Sequence, residues 1–178
     1  MPSASLIKEF EQLVGKENVF SSEADRQSYA YDAAVLKPMI PSLVVRPTEV
    51  EQLGQVVKRC YEEGIPMTVR GSGTNLTGGT IPDCSDTIVI LTTGLNKILE
   101  INTEDLYATV QPGVITAKFA AAVAAKGLFY PPDPGSMSVS TIGGNVAESS
   151  GGLRGLKYGT TKDYVMGLEF YDHTGELV

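Results

Sequence analysis

The sequence predicts an α+β fold on three observations: a strand–helix–strand unit between Ser42 and Arg70, a further strand at Thr87–Thr92, and an antiparallel hairpin at Ile98–Val110 followed by an alanine-rich helix. The 178 residues suffice for one ordinary domain or two small subdomains. A chain of that size buries roughly 70% of its unfolded surface.

At the start, Leu6, Ile7, Phe10, Leu13 and Val14 recur at helical spacing and Gly15 follows, so residues 5–14 read as an amphipathic helix. Asn18–Pro38 has no clear period, and its Tyr29, Tyr31 and Asp32 are expected to pack or to line an entrance. Ser42–Arg46 is a strand. Thr48 and Glu51 form a capping box ahead of a helix that carries Val50, Leu53, Val56, Val57, Cys60 and Tyr61 and ends at Gly64. Met67–Arg70 is the next strand, and a parallel pair with a right-handed crossover is the expected geometry. In the second half, Ile98–Ile101 and Leu106–Val110 flank an Asn102–Asp105 turn, Pro112 and Gly113 close the hairpin, and Thr116–Lys126 is a helix stopped by Gly127. Val165–Asp172 reads as a long last strand with a turn at His173–Gly175, and its open edge makes a homodimer an expectation.

Composition removes several function classes. A hydrophobic fraction of 42% and a charged fraction of 20% are those of a globular protein, and no apolar run reaches the ~18 residues of a membrane span. Residues 1–10 are too polar for a signal peptide, so a cytoplasmic location is expected. Two cysteines and one histidine, without metal-ligand spacing, predict no metal site. A net charge of −7, from 14 basic and 21 acidic residues, argues against nucleic acid. An anionic cofactor stays open, because directed N–H groups act at a few ångströms while net charge is screened over about 8 Å.

Two glycine-rich segments carry the chemistry. Arg70–Thr80 (RGSGTNLTGGT) follows a strand and places four glycines within positions 71–79. Glycine admits positive φ and lets amides approach an anion, which is how phosphate nests form; a flexible surface loop is the plainer reading. Gly73–Thr80 has Walker A glycine spacing, but Gly79 stands where the lysine belongs. The Rossmann fingerprint also fails, since Leu76 replaces its third glycine and Pro82 interrupts any following helix. The second segment runs from Pro131 to Gly159, with seven glycines between Gly135 and Gly159. Thr141–Asn145 there offers a small-residue turn whose amides and hydroxyl could face a flat ring, or else a short helix whose Gly143 and Gly144 permit close packing.

RGSGTNLTGG, PPDPGSMSVSTIGGNVAESSGG and YGTTKDYVMGLEF, in that order, resemble the FAD-linked oxidases of the vanillyl-alcohol oxidase (PCMH-type FAD-binding) family. The resemblance runs from about Pro41 to Val178 and is strongest to the branch with glycolate oxidase, D-lactate dehydrogenase and D-2-hydroxyglutarate dehydrogenase. It implies a PCMH-type FAD-binding domain of two α+β subdomains, truncated before the substrate cap domain. The corresponding division is 1–40 as helix and lead-in, 41–96 as first and 97–178 as second FAD-binding subdomain.

By the same resemblance, Arg70, Gly71, Ser72, Gly73, Thr74, Asn75, Thr77, Gly78 and Gly79 would wrap the pyrophosphate. Pro112 and Gly113 would border the adenosine. Pro132, Asp133, Ser136, Thr141, Gly143, Gly144, Asn145 and Ala147 would line the ribityl chain and inner ring edge, with Gly151, Gly152, Tyr158 and Gly159 completing the wall. Thr74 stands where some relatives carry a flavin-linked histidine, so FAD would be non-covalent. His173 is not a catalytic candidate, Cys60 reads as core, and no catalytic residue is assigned. The implied activity is oxidation of a 2-hydroxy acid such as glycolate or D-lactate to a 2-oxo acid, with substrate groups in the cap domain and an electron-transfer or iron–sulfur protein as a candidate partner. The chain alone would then be inactive. The alternatives are a flavoenzyme for a sugar or aromatic alcohol, or a non-catalytic module.

Overall fold

Short runs rich in β-branched residues build the first sheet of the computed structural model, which describes residues 2–178. Helix α1 (Ala4–Val14) starts on the Ser3 hydroxyl, which accepts from the Leu6 N–H, and buries Leu6, Phe10 and Val14. Strand β1 (Val19–Phe20) pairs antiparallel with β2 (Leu43–Val45), and the short helix α2 (Glu23–Gln27) lies between them in sequence. Residues 18–38, without a sequence period, thus contain two brief elements. Two residues of strand and five of helix are too short to show one.

Helix α3 (Val50–Glu62) leads to β3 (Met67–Arg70), and β4 (Ile88–Leu91) then inserts between β2 and β3, giving the order β1-β2-β4-β3. Both contacts of β4 are parallel, with Val44 opposite Val89 and Val69 opposite Ile90. The expected direct β2–β3 pair is therefore replaced by two parallel pairs through β4. Leu43, Val45, Ile88 and Ile90 face α1 and α3 in the main core, while Val44, Val89 and Leu91 pack on the other face with Phe20 and Tyr29. Burial on both faces explains why β2 and β4 are apolar without alternation.

The helix cap is shifted by one residue from the expected box. Gln52, not Glu51, turns its Oε1 back to the N–H groups of Thr48 and Glu49, at 2.9 and 3.1 Å, and its Nε2 donates to the Leu13 carbonyl at 3.0 Å.

In the second half, β5 (Ile98–Asn102) and β6 (Tyr107–Val110) form the expected antiparallel hairpin. The Asn102 Oδ1 accepts from Glu104 and Asp105 N–H groups in its turn. Helix α4 (Thr116–Ala124) buries Phe119 and Val123 with Val114 and with Ile142 of α5 (Ile142–Glu148). A four-residue helical turn, α6 (Gly155–Tyr158), and a 3₁₀ turn at Thr161–Tyr164 follow.

Two compact units result: residues up to Gly94 together with Glu169–Val178, and Leu95–Leu168. The last ten residues thus join the first unit, whereas the sequence pattern groups them with 97–178. Val165–Asp172 is also not the long strand expected. Residues 170–172 fold back on residues 176–178 in a short hairpin, with Phe170 and Val178 exchanging backbone bonds at 3.1 and 2.8 Å around the Tyr171–Leu177 bridge, while Met166 and Leu168 are exposed and belong to no strand. The edge on which a homodimer was expected is shortened to this hairpin. The tail is held instead by the Tyr171 ring, which occupies the space a Cβ on Gly54 would need. No helix among the described residues is long and apolar enough to cross a membrane.

Candidate functional site

Strand β3 ends at Arg70, and the loop beyond it is shaped from beneath by that side chain. Arg70 is only 6% exposed; its Nη1 donates to the Tyr31 carbonyl at 2.8 Å and the Thr80 hydroxyl at 3.2 Å, and its guanidinium lies 5.8 Å from the Tyr29 ring centroid. Burial pulls its pKa below the ordinary arginine value, and the nearby Asp32 carboxylate acts in the opposite direction. Arg70 is therefore neither a surface ion pair nor directed outward.

Gly73, at φ +69°, has its open side filled by the Arg70 guanidinium, and Gly78, at φ +79°, has its own filled by Leu36. At Gly73 left-handed backbone and the buried Arg70 together require glycine, while at Gly78 the backbone conformation does so and the exposed Leu36 could move aside. Among the described residues, the N–H groups of Gly71, Ser72, Gly73 and Thr74 make no backbone hydrogen bond, and these residues are half-buried. Consecutive uncommitted amides around a positive φ are the donor set of an anion nest. Asn75 is drawn inward, its Nδ2 donating to Asp32 at 2.7 Å and to Thr77 Oγ1 at 3.2 Å. Gly79 donates to Thr77 Oγ1 at 3.4 Å.

The second segment is built differently. Thr141 caps α5 by accepting from the Gly144 N–H at 3.3 Å, so 141–145 is a helix start and not an open turn. The Ile142 and Gly143 amides donate to the carbonyls of Val114 and Pro112, at 2.9 and 2.8 Å, and the Asn145 amide to Thr141. A Cβ on Gly143 would stand 2.6 Å from Pro112 Cβ. Asn145 is 1% exposed, donating at 2.7 Å to Thr116 Oγ1, which also meets the Ser140 hydroxyl at 2.9 Å. These facts favour close packing of a short helix over amides held out for a ring. Thr141, Gly143 and Asn145 hold the segment together from inside, and Gly144 and Ala147 lie on its more open part.

Pro132 is buried, and Asp133 accepts from the Arg154 N–H at 3.1 Å with the Arg154 side chain at 3.5 Å. Gly152 packs directly on the Asp133 carbonyl, which leaves no room for a side chain. The Ser136 carbonyl accepts from Val139 and Ser140 N–H groups, and the buried Gly113 amide donates to Leu95 at 2.7 Å. Tyr158 is 38% exposed, edge-on to Phe129, and its carbonyl accepts the Tyr164 hydroxyl at 2.6 Å. Gly159, at φ +82°, abuts Asp163, whose carboxylate accepts from the Thr160 N–H at 2.7 Å; Gly151 is exposed.

A concavity of about 310 Å³ lined by Ala120, Leu128, Phe129, Tyr130 and neighbours, and one of about 250 Å³ beside Phe10 and Arg59, include none of the candidate cofactor residues. Among the described residues no group of three His, Cys, Asp or Glu could hold a metal ion. Asp32 and Tyr31 shape the loop, a role that the sequence did not assign them beyond packing or lining an entrance. They stand far from the loop in sequence, and no local pattern ties them to it.

A glycine-rich loop with uncommitted amides thus follows a parallel strand, and a glycine- and proline-rich segment lies on a second α+β unit. The chain belongs to the FAD binding domain family, which it matches over residues 41–178, and FAD is its cofactor. It is 50% identical over 167 residues to the glycolate oxidase protein GlcD of Bacillus subtilis (strain 168), covering 94% of this chain and 35% of that protein. It is 35% identical over 173 residues to D-lactate dehydrogenase of Anaerostipes hadrus, covering 97% and 36%. Among solved structures, p-cresol methylhydroxylase with substrate bound superposes with TM-score 0.84 at 25% identity, covering 98% of this chain and 34% of that one. The PCMH-type α+β fold follows from this match. The chain spans about a third of the length of the curated relatives it matches.

Proposed function

We propose that this chain is the FAD-holding part of a flavin-dependent oxidoreductase that converts a 2-hydroxy acid of the glycolate or D-lactate type to a 2-oxo acid. The observation that carries the cofactor role is the run of uncommitted amides at Gly71–Thr74 around the positive φ of Gly73. The substrate class is supported by the 50% identity to a glycolate oxidase protein.

In this reading residues 41–96 and 97–178 are the two FAD-binding portions, with 1–40 as a lead-in. The amides of Gly71–Thr74 and the hydroxyls of Ser72, Thr74 and Thr77 meet the pyrophosphate, while Arg70 and Asn75 shape the loop from inside. Around Pro132, Ser136, Gly144, Ala147, Gly151 and Gly152, the second segment presents backbone and small side chains to the ribityl and ring portion. Pro112 and Gly113 border the adenosine. Thr74 stands where some relatives carry a flavin-linked histidine and is no substitute for it, so binding is non-covalent. A bound flavin supplies hydride acceptance from the substrate carbon, and this chain's residues supply binding and orientation. Substrate-holding groups are assigned to the remainder of a longer protein, so the chain alone is inactive.

The test is an absorption spectrum of the purified chain after FAD addition and desalting. Retained flavin bands, not bleached by anaerobic glycolate or D-lactate, are expected. A chain that stays colourless at FAD concentrations above 100 µM (about −5.5 kcal/mol of binding) would sink the cofactor assignment, and bleaching would sink the inactivity.

A further inference from the structure

The geometry points to Asp32 as the positioning residue of the glycine-rich loop: its carboxylate, facing Arg70, Asn75 and Thr80 from a distant segment, holds the Gly71–Thr74 amides in their anion-receptive arrangement. This rests on the reading of Arg70–Gly79 as the pyrophosphate loop.

The two carboxylate oxygens have separate tasks. Oδ1 accepts from the Ala34 N–H at 2.8 Å, closing an Asx turn within its own segment. Oδ2 accepts from Asn75 Nδ2 at 2.7 Å and lies 3.2 Å from the Thr80 hydroxyl. That hydroxyl also stands 3.1 Å from Asn75 Oδ1 and receives the Arg70 Nη1 at 3.2 Å. Arg70 in turn ties to the Tyr31 carbonyl, next to Asp32. The middle and the far end of the loop, Asn75 and Thr80, thus converge on one carboxylate, whose charge also acts on the arginine under Gly73.

The charge matters as much as the hydrogen bonds. Arg70 is buried, and the nearby Asp32 charge favours its charged form; without that charge the guanidinium would be drawn toward water, withdrawing the support beneath Gly73. The charges of Arg70 and Asp32 sum to zero, so attraction for a phosphate must come from the loop's amides. Those amides are uncommitted while side chains hold the first half of the loop; a backbone bond, from the Ile81 N–H to the Gly78 carbonyl at 3.0 Å, closes its far end.

Asp32→Asn separates the two tasks. Asparagine serves an Asx turn as well as aspartate does, so a residue that only shaped residues 32–34 would be replaced without loss. Loss of the carboxylate opposite Arg70 is expected to weaken FAD binding about tenfold or more, the usual scale for a charge-assisted hydrogen bond. The exchange Asp32→Asn/Asn75→Asp returns one carboxylate and one amide to the same contact and is expected to recover most of the affinity.

The experiment measures FAD affinity by flavin fluorescence and, without any ligand, chymotryptic cleavage after Leu76, which is 78% exposed on the loop. Asp32→Asn is expected to raise cleavage there and weaken FAD, with both reversed in the exchange variant. Wild-type-like cleavage in Asp32→Asn, or an exchange variant no better than the single one, overturns the inference. Should the wild-type chain fail to bind FAD, the cofactor reading fails, while the cleavage series still decides the role of Asp32.

Discussion

Cys60 and Cys84 show how far the surroundings of one atom set its chemistry. The Cys60 side chain is fully buried under α3, and burial pushes its thiol up from 9.0 to about 12, with Arg59 opposing weakly. Cys84 is half-buried, and its Sγ lies 3.5 Å from the Thr87 hydroxyl, a hydrogen bond that lowers its pKa. Only thiolate reacts with alkylating agents. At pH 8, iodoacetamide is expected to label Cys84 in the folded chain and to reach Cys60 only in denaturant; mass spectrometry of the peptides reads the outcome, and equal labelling would contradict the buried placement. The sign for stability follows. Because the folded pKa lies above the unfolded one, the contribution of Cys60 is complete below about pH 9 and is lost as pH rises toward 12. Cys60→Ala should flatten the alkaline fall of the urea midpoint.

At the scale of elements, α5 depends on one missing side chain. Gly143 donates its amide to Pro112 and would meet that ring at 2.6 Å with a Cβ, whereas a Cβ on Gly144 meets only Thr141 Oγ1 at 3.2 Å. Gly143→Ala is expected to destabilise by about 1–3 kcal/mol through overpacking. Gly144→Ala is expected to be near neutral, since alanine regains about 1 kcal/mol of helix propensity. Urea titrations compare them, and equal losses would remove Pro112 as the cause. What the sequence made legible divides along the same line. Runs such as Met67–Arg70 and the Ile98–Val110 hairpin are local patterns, and so are the glycines of the 71–79 loop. The insertion of β4 between β2 and β3 is a non-local pairing. The strand reading of 165–172 holds only at its end, because a strand needs partners for its hydrogen bonds and only residues 170–172 find them, in residues 176–178. The tie between Asp32 and the loop is not legible, because its contact with Asn75 crosses 43 positions. Gln52 displaced Glu51 because the helix begins one residue later than the Thr48 signal implies.

On the scale of the whole molecule, charge is divided unevenly. Residues up to Gly94 with 169–178 carry eight Lys or Arg against fifteen Asp or Glu, and residues 95–168 carry six of each. The entire net charge of −7 therefore belongs to the unit that bears the glycine-rich loop. On the proposed reading, a pyrophosphate approaching that loop would meet amides at close range, the opposite charges of Arg70 and Asp32, and a repulsive field at long range. Salt separates these contributions. The Debye length falls from about 30 Å at 0.01 M to about 8 Å at 0.15 M ionic strength, so salt removes the distant repulsion and leaves short amide contacts nearly untouched. A protein that neutralises phosphates with outward cations loses affinity as salt rises. This chain is expected to do the reverse, with FAD affinity improving about two- to fivefold over that range because a like-charge field is screened. Fluorescence titrations in sodium chloride test this directly. Weakening with salt would mean that a lysine or arginine touches the phosphates, and the assignment of the loop as an amide nest with an internally balanced arginine would have to be abandoned.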